Sequence, residues 1–164
     1  MNAPHRAAAP ISVAARWRKE TLMKKISAIL VAAMILGLGT AAAGDRKPAP
    51  QGAAVYIVWP RDGSVIKDGK FWVRMGLSGA GIAPAGIDKP NTGHHHLLID
   101  VDPPPLDEEI PNDKNHLHFG AGQTEARIEL PPGKHTLQLL FADANHLSFD
   151  PPIMSKKITI TIPQ

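Results

Sequence analysis

From residue 54 onward, apolar and polar residues alternate with a period of two along much of the chain, which restricts it to β-structure. Ile158, Ile160 and Ile162 share one face of a segment whose other face is Thr159 and Thr161. Ala126, Ile128 and Leu130 alternate with Glu125, Arg127 and Glu129, and Leu137, Leu139 and Phe141 repeat the pattern. Side chains two apart point the same way in an extended strand, and one apolar face per strand calls for a second sheet packed against it. Strands are predicted at residues 54–59, 70–77, 95–101, 116–119, 124–130, 135–143 and 157–162. Turn clusters separate them, among them Pro60-Arg61-Asp62-Gly63, Pro103-Pro104-Pro105, Pro131-Pro132-Gly133 and Pro151-Pro152. About seven strands in about 110 residues predict an all-β fold, an immunoglobulin-like antiparallel β-sandwich. A cupredoxin-like barrel is the alternative.

The beginning of the chain has a different character. Met23-Lys24-Lys25 is a short basic stretch, residues 26–39 are an uncharged apolar run, and small residues follow at Ala41 and Ala43. This is the layout of a secretory signal peptide, and the run is shorter than the roughly 20 residues of a membrane span. Residues 1–43 are therefore expected to be an N-terminal extension plus signal, with Met23 a candidate true start. Residues 44–53 read as a flexible, Pro- and Gly-rich lead-in, and residues 54–164 as a single domain. The expected location is the periplasm or the extracellular medium, with no stable membrane span after cleavage. No cysteine follows the apolar run to carry a lipid.

Charge follows the same division. Of 18 basic residues, six lie in residues 1–43, together with the single acid Glu20; twelve basic and fourteen acidic residues remain. The domain itself is thus slightly acidic, and nothing basic is left to attract nucleic acid. The chain has no cysteine. Disulfides, thiolate metal sites and cysteine nucleophiles are excluded together, and the fold rests on its core.

Against this plain background the histidines stand out: eight in the chain, seven of them after residue 90. In "GHHHLLID" (93–100), His95 shares a face with Leu97 and Ile99, whereas His94 and His96 point away from that core face. In "NHLHFG" (115–120), His116 and His118 likewise share the face opposite Leu117 and Phe119. Two His-x-His pairs therefore present neighbouring imidazoles from strands. In a sandwich of this topology, both pairs and His146, in the turn after residue 143, fall at one end; His135 falls at the other. Neutral imidazoles without thiolates suit Cu(II), Zn(II) or Ni(II), with copper or zinc first. The predicted metal ligands are His94, His96, His116, His118 and His146, with Asp143 as a further ligand or as a carboxylate that orients an imidazole. Only Met75 and Met154 remain after residue 43, which argues against a dedicated Cu(I) carrier. His95 is expected at the edge of the core.

Other features carry less. The acidic run Asp100, Asp102, Asp107, Glu108, Glu109 and Asp113 lacks EF-hand spacing and reads as a solvated loop. The Gly-rich stretch 76–86 has no helix after it to cradle a phosphate. No catalytic residues are assigned: the serines after residue 43 are Ser64, Ser78, Ser148 and Ser155, and none is placed in a nucleophile–base constellation. A metal-assisted enzyme is the weaker reading. The other alternative is a non-metal interaction module that uses the same histidine-rich rim to hold a cell-envelope protein or glycan.

The stretches "GIDKPNTGHHHLLID" (86–100), "IPNDKNHLHFGAGQTE" (110–125) and "LPPGKHTLQLLFADANHLSFDPPIMS" (130–155) together resemble the bacterial exported family catalogued as domain of unknown function 4399. The resemblance covers roughly residues 54–162. It implies a small secreted β-domain with "GHHHLLID" and the "HFGAGQTE" stretch as its signature segments, and it supplies no activity or catalytic residue.

Overall fold

The computed structural model describes residues 46–164, so the expected signal segment lies outside the described residues. Nine strands and no helix are found among them. They are β1 (Ala54–Trp59), β2 (Lys70–Ser78), β3 (Gly81–Ile82), β4 (Thr92–Ile99), β5 (His116–His118), β6 (Glu125–Glu129), β7 (Gly133–Ala142), β8 (Ser148–Met154) and β9 (Ile158–Ile162). Two sheets form a β-sandwich, and no closed barrel is present among these residues. The smaller sheet has the order β1-β2-β6. The larger is built on the antiparallel pair β4-β7, with β9 and β8 sharing the far edge of β7: Leu137 lies between Ile99 and Ile158, and Leu140 between His96 and Met154.

All seven expected strands are present, and their pairing as β1-β2-β6 and β4-β7-β9 follows the expected immunoglobulin-like order. The short β5 joins β4 in the larger sheet. Two strands were not anticipated. The two-residue β3 runs parallel to β4. The other, β8, contains Pro151-Pro152, which read as a break. Proline is tolerated there because Pro151 and Pro152 fall between Ser148 and Ile153, where the pairing with β7 shifts register and asks no N–H of them.

The core between the sheets takes the inward faces that the alternation marks. Val55, Phe71, Val73, Met75 and Ile128 come from the smaller sheet; Leu97, Ile99, Leu137, Leu139, Phe141 and Ile160 come from the larger. A second apolar cluster lies on the opposite face of the larger sheet, where Leu98, Leu140 and Ala142 are buried against Ile110, with Leu106 and Val101 packed around them. Ile110, Leu106 and Val101 belong to the long β4–β5 connection, which folds back over the sheet. The acidic run that read as a solvated loop is therefore a cover. Its charged side chains Asp102, Glu108 and Glu109 stay exposed while its aliphatic ones are inserted.

The lead-in is held from Arg46 onward. Its guanidinium donates to the carbonyls of Ser148 and Phe149, Ala49 donates to Asp150, and Asp150 donates back to Lys47. The Lys47 ammonium lies 2.6 Å from Asp88 and 3.3 Å from Asp143.

Candidate metal centre

Parity along β4 is as the alternation implies. His95 lies on the core side, its ring centroid 5.4 Å from that of Phe141. His94 and His96 lie on the other side, opposite Ala142 and Leu140 of β7. Their environment differs from the exposed rim that was expected, because all three imidazoles are 0% exposed. The strand also begins at Thr92, three residues before its predicted start, so His94 sits inside β4 and not at its mouth. The cover loop and the β7–β8 turn shield His94 and His96 on the face that a bare sheet would have left to water.

The register between β4 and β5 decides which histidines meet. His118 is paired directly with His96, and His116 with Leu98. Directly opposed side chains in an antiparallel pair are near neighbours, so His96 and His118 are brought together, and His94 is the next residue on that face. Because the strands are antiparallel, His116 is displaced to the far side of His96 from His94. A register two residues over would have gathered all four. The observed one is fixed by Asn115, whose side chain donates to the Ile99 carbonyl and whose own carbonyl accepts from the Ile99 N–H. His116 is instead 2.9 Å from Asp113 through its Nδ1.

His94, His96 and His118 thus form a triangle with ring centroids 4.9, 4.9 and 5.0 Å apart. Each offers a ring nitrogen, and the three atoms lie within 4.8 Å of one another. His146 joins from the β7–β8 turn, at 4.7 Å from the His118 ring, 5.1 Å from that of His94 and 5.9 Å from that of His96. Asp143 does not reach an imidazole to bond it. It is buried and spends one oxygen on the N–H groups of Asn145 and Leu147. Its carboxylate builds the turn that carries His146, a residue in the left-handed region at φ 63°. His135 is remote, as expected: it bonds Asp100 and the Pro131 carbonyl at the other end of β7.

Hydrogen bonding leaves this cluster unsatisfied. Nε2 of His94 and Nε2 of His96 face each other at 3.1 Å. The Nδ1 atoms of both rings and Nε2 of His118 are buried with no partner. Buried polar atoms are nearly always paired, and no choice of tautomers satisfies all of these. A cation held between the rings would use the convergent lone pairs. Two nitrogens bound tetrahedrally to zinc stand about 3.3 Å apart, close to the 3.1 Å between the His94 and His96 nitrogens. Burial, reinforced by repulsion from the neighbouring imidazoles, pushes His94 down to about 4 and His96 to about 2. Burial lowers His118 too. The three rings are therefore neutral at ordinary pH, the form that ligates metals. The residues present fit a borderline metal ion.

The model of the family described as Domain of unknown function (DUF4399) matches residues 73–163. The chain belongs to this family. No curated protein and no solved structure matches the chain. The matched segment contains the whole triangle, His146 and the cover loop.

Three contributors were invisible to sequence reasoning. Gly120 has no special φ, yet a Cβ there would meet Cε1 of His118 at 2.2 Å and its Nε2 at 2.4 Å, so the absent side chain is what lets the ring lie where it does. Gly93 plays the matching part beneath β4, where a Cβ would fall 2.1 Å from the Ala142 carbonyl oxygen. Glu109, in the run read as solvated, places a carboxylate oxygen 3.3 Å from Nδ1 of His146. A pocket of about 360 Å³ opens between Glu109, Pro111 and Asn112 on one side and His96, His118 and His146 on the other. The only sequence signal for these was the placement of Gly120 two residues after His118.

Proposed function

We propose that this chain is an exported metal-handling domain that holds copper(II) or zinc(II) through His94, His96 and His118. The observation that carries the reading is the convergence of three fully or partly buried, neutral imidazoles whose nitrogens lack other partners. All-imidazole coordination without sulfur favours these two ions among the common divalent metals. The signal-like residues 23–43 support a periplasmic or secreted setting, where a tight site would sequester or deliver the ion. A recognition surface built on these imidazoles fits less well, since His94 and His96 are inaccessible to a macromolecular partner. The exposed aromatic rings of Tyr56, Trp59 and Trp72 belong to the other sheet.

Elemental analysis of the untagged protein, beside a His94→Ala/His96→Ala variant, tests the reading. One equivalent of copper or zinc, lost in the variant, is the expected result. Stoichiometric absence of metal from the parent, with titrations no tighter than a surface histidine pair provides, would sink it.

A further inference from the structure

The three-histidine triangle leaves one tetrahedral position, and the structure offers a candidate for it together with a means of aiming it. The His146 ring lies 4.7 Å from that of His118 and 5.1 Å from that of His94, which are themselves 4.9 Å apart, although its ligand atoms fall outside the set that is mutually within 4.8 Å. Its ring is turned 74–87° from the planes of the other three, and it lines the same pocket as His96 and His118. We propose that His146 completes the set as a fourth nitrogen ligand, and that Glu109 is the positioning residue that turns Nε2 of His146 toward the metal. This rests on the metal-binding reading above.

The argument for Glu109 is one of anchoring. Its carboxylate oxygen is 3.3 Å from Nδ1 of His146, so a proton kept on Nδ1 leaves the lone pair on Nε2. A carboxylate behind a ligating histidine acts in this way, fixing both tautomer and ring orientation. The two residues belong to different loops, but those loops are tied next to the contact: the Ile110 N–H donates to the His146 carbonyl at 3.0 Å. Ile110 is itself buried in the outer apolar cluster. On the other side, the turn bonds of Asp143 hold His146 from below. The Glu109 side chain is 71% exposed and contributes nothing to the core, so its presence beside a half-buried imidazole needs no packing role to be kept in view.

The test uses the untagged full chain with Cu(II) as the probe, pulsed electron paramagnetic resonance to count coordinated imidazoles, and competition titration for affinity. The variants are His146→Asn, which keeps a residue at ease in the left-handed region, Glu109→Ala and Glu109→Gln. The parent should show four imidazoles and His146→Asn three. Glu109→Ala should lose 10- to 100-fold in affinity, the usual cost of removing such a partner. Glu109→Gln should recover most of it, because its amide oxygen offers Nδ1 an acceptor at the same place, and the thermal unfolding of every metal-free variant should match the parent. An unchanged count and affinity in His146→Asn would overturn the fourth ligand while leaving the triangle standing. No loss in Glu109→Ala, or a Glu109→Gln as damaged as Glu109→Ala, would overturn the positioning role; the latter would make Glu109 a direct ligand. A parent that binds no Cu(II) fails at the earlier step and takes both proposals with it.

Discussion

His94 and His135 stand at opposite ends of the β4–β7 pair, and the two ends handle imidazole in contrary ways. At the His135 end, both ring nitrogens have acceptors: Asp100 at 2.6 Å and the Pro131 carbonyl at 2.8 Å. Burial alone would lower His135, but the Asp100 and Pro131 bonds and the Asp100 charge outweigh it, so its pKa is raised. At the His94 end the rings face each other, carboxylates are held away or at the margin, and burial pushes pKa values down. An imidazole supplied with acceptors is biased toward its protonated form. One deprived of them keeps its lone pairs for something else. The first is how a protein uses histidine to close a corner, the second how it prepares a site.

The largest test of this contrast is acid. In the metal-free protein His94 and His95 have folded values of about 4, against an ordinary 6.5. Between those pH values the unfolded chain takes up protons that the folded chain refuses, so stability falls as pH falls. Each group contributes a loss of about 3 kcal/mol by pH 4. Urea unfolding of the metal-free protein at pH 7.5, 6 and 4 should show a steep decline; a flat profile would mean that these rings find protons or partners in solution.

Next in size is a break confined to one end. Gly120→Ala puts a methyl group into the His118 ring and should cost about 10- to 100-fold in metal affinity, comparable to losing a residue that orients a ligand. The titration of His135, followed by NMR, should not move. A variant that binds zinc or copper as tightly as the parent would show that the His118 ring does not need this position.

The opposite break is milder. Asp100→Asn removes the charge beside His135 but keeps an oxygen for the Thr136 N–H and a residue suited to φ 58°. Because the pKa of His135 is raised, its contribution is fully present below about 6.5 and disappears as pH rises through the folded value. The variant should therefore be less stable by about 1 kcal/mol at pH 6, with the gap closing in alkali. A gap that is constant with pH would assign the effect to something other than the ion pair. Smallest of all, His116→Ala should change metal affinity less than about twofold, the scale of a surface change away from any special feature. A loss like that of His94→Ala would move His116 into the site.

The sequence made the sandwich and the parity of the imidazoles legible because both depend on a period of two, which a strand preserves whatever surrounds it. His94 and His96 could thus be placed on one side and His95 on the other before any contact was known. It could not make the β4–β5 register legible. His-x-His pairs align equally well with His118 beside His94 or beside His96, and the choice rests on where Asn115 grips Ile99. Burial was likewise hidden. Residues 100–113 are acidic and Pro-rich on average, and the three side chains that turn the loop into a cover, Val101, Leu106 and Ile110, are too few to raise that average. Gly120 reads as a turn glycine, and what makes it matter is the His118 ring lying against it.

The cover loop has one more consequence, which concerns time and not affinity. Ile110 is seated in the outer apolar cluster, bonded to His146 and part of the wall of the pocket that opens on the imidazoles, so under the metal-binding proposal an ion would leave faster once this segment comes unseated. Release then has its own clock. A chelator added in growing excess should speed removal only until that unseating sets the pace, after which the rate stays level however much is added. On that proposal, such a domain would keep its ion through brief swings in the surrounding supply, and would hand it over to a partner that loosens the loop.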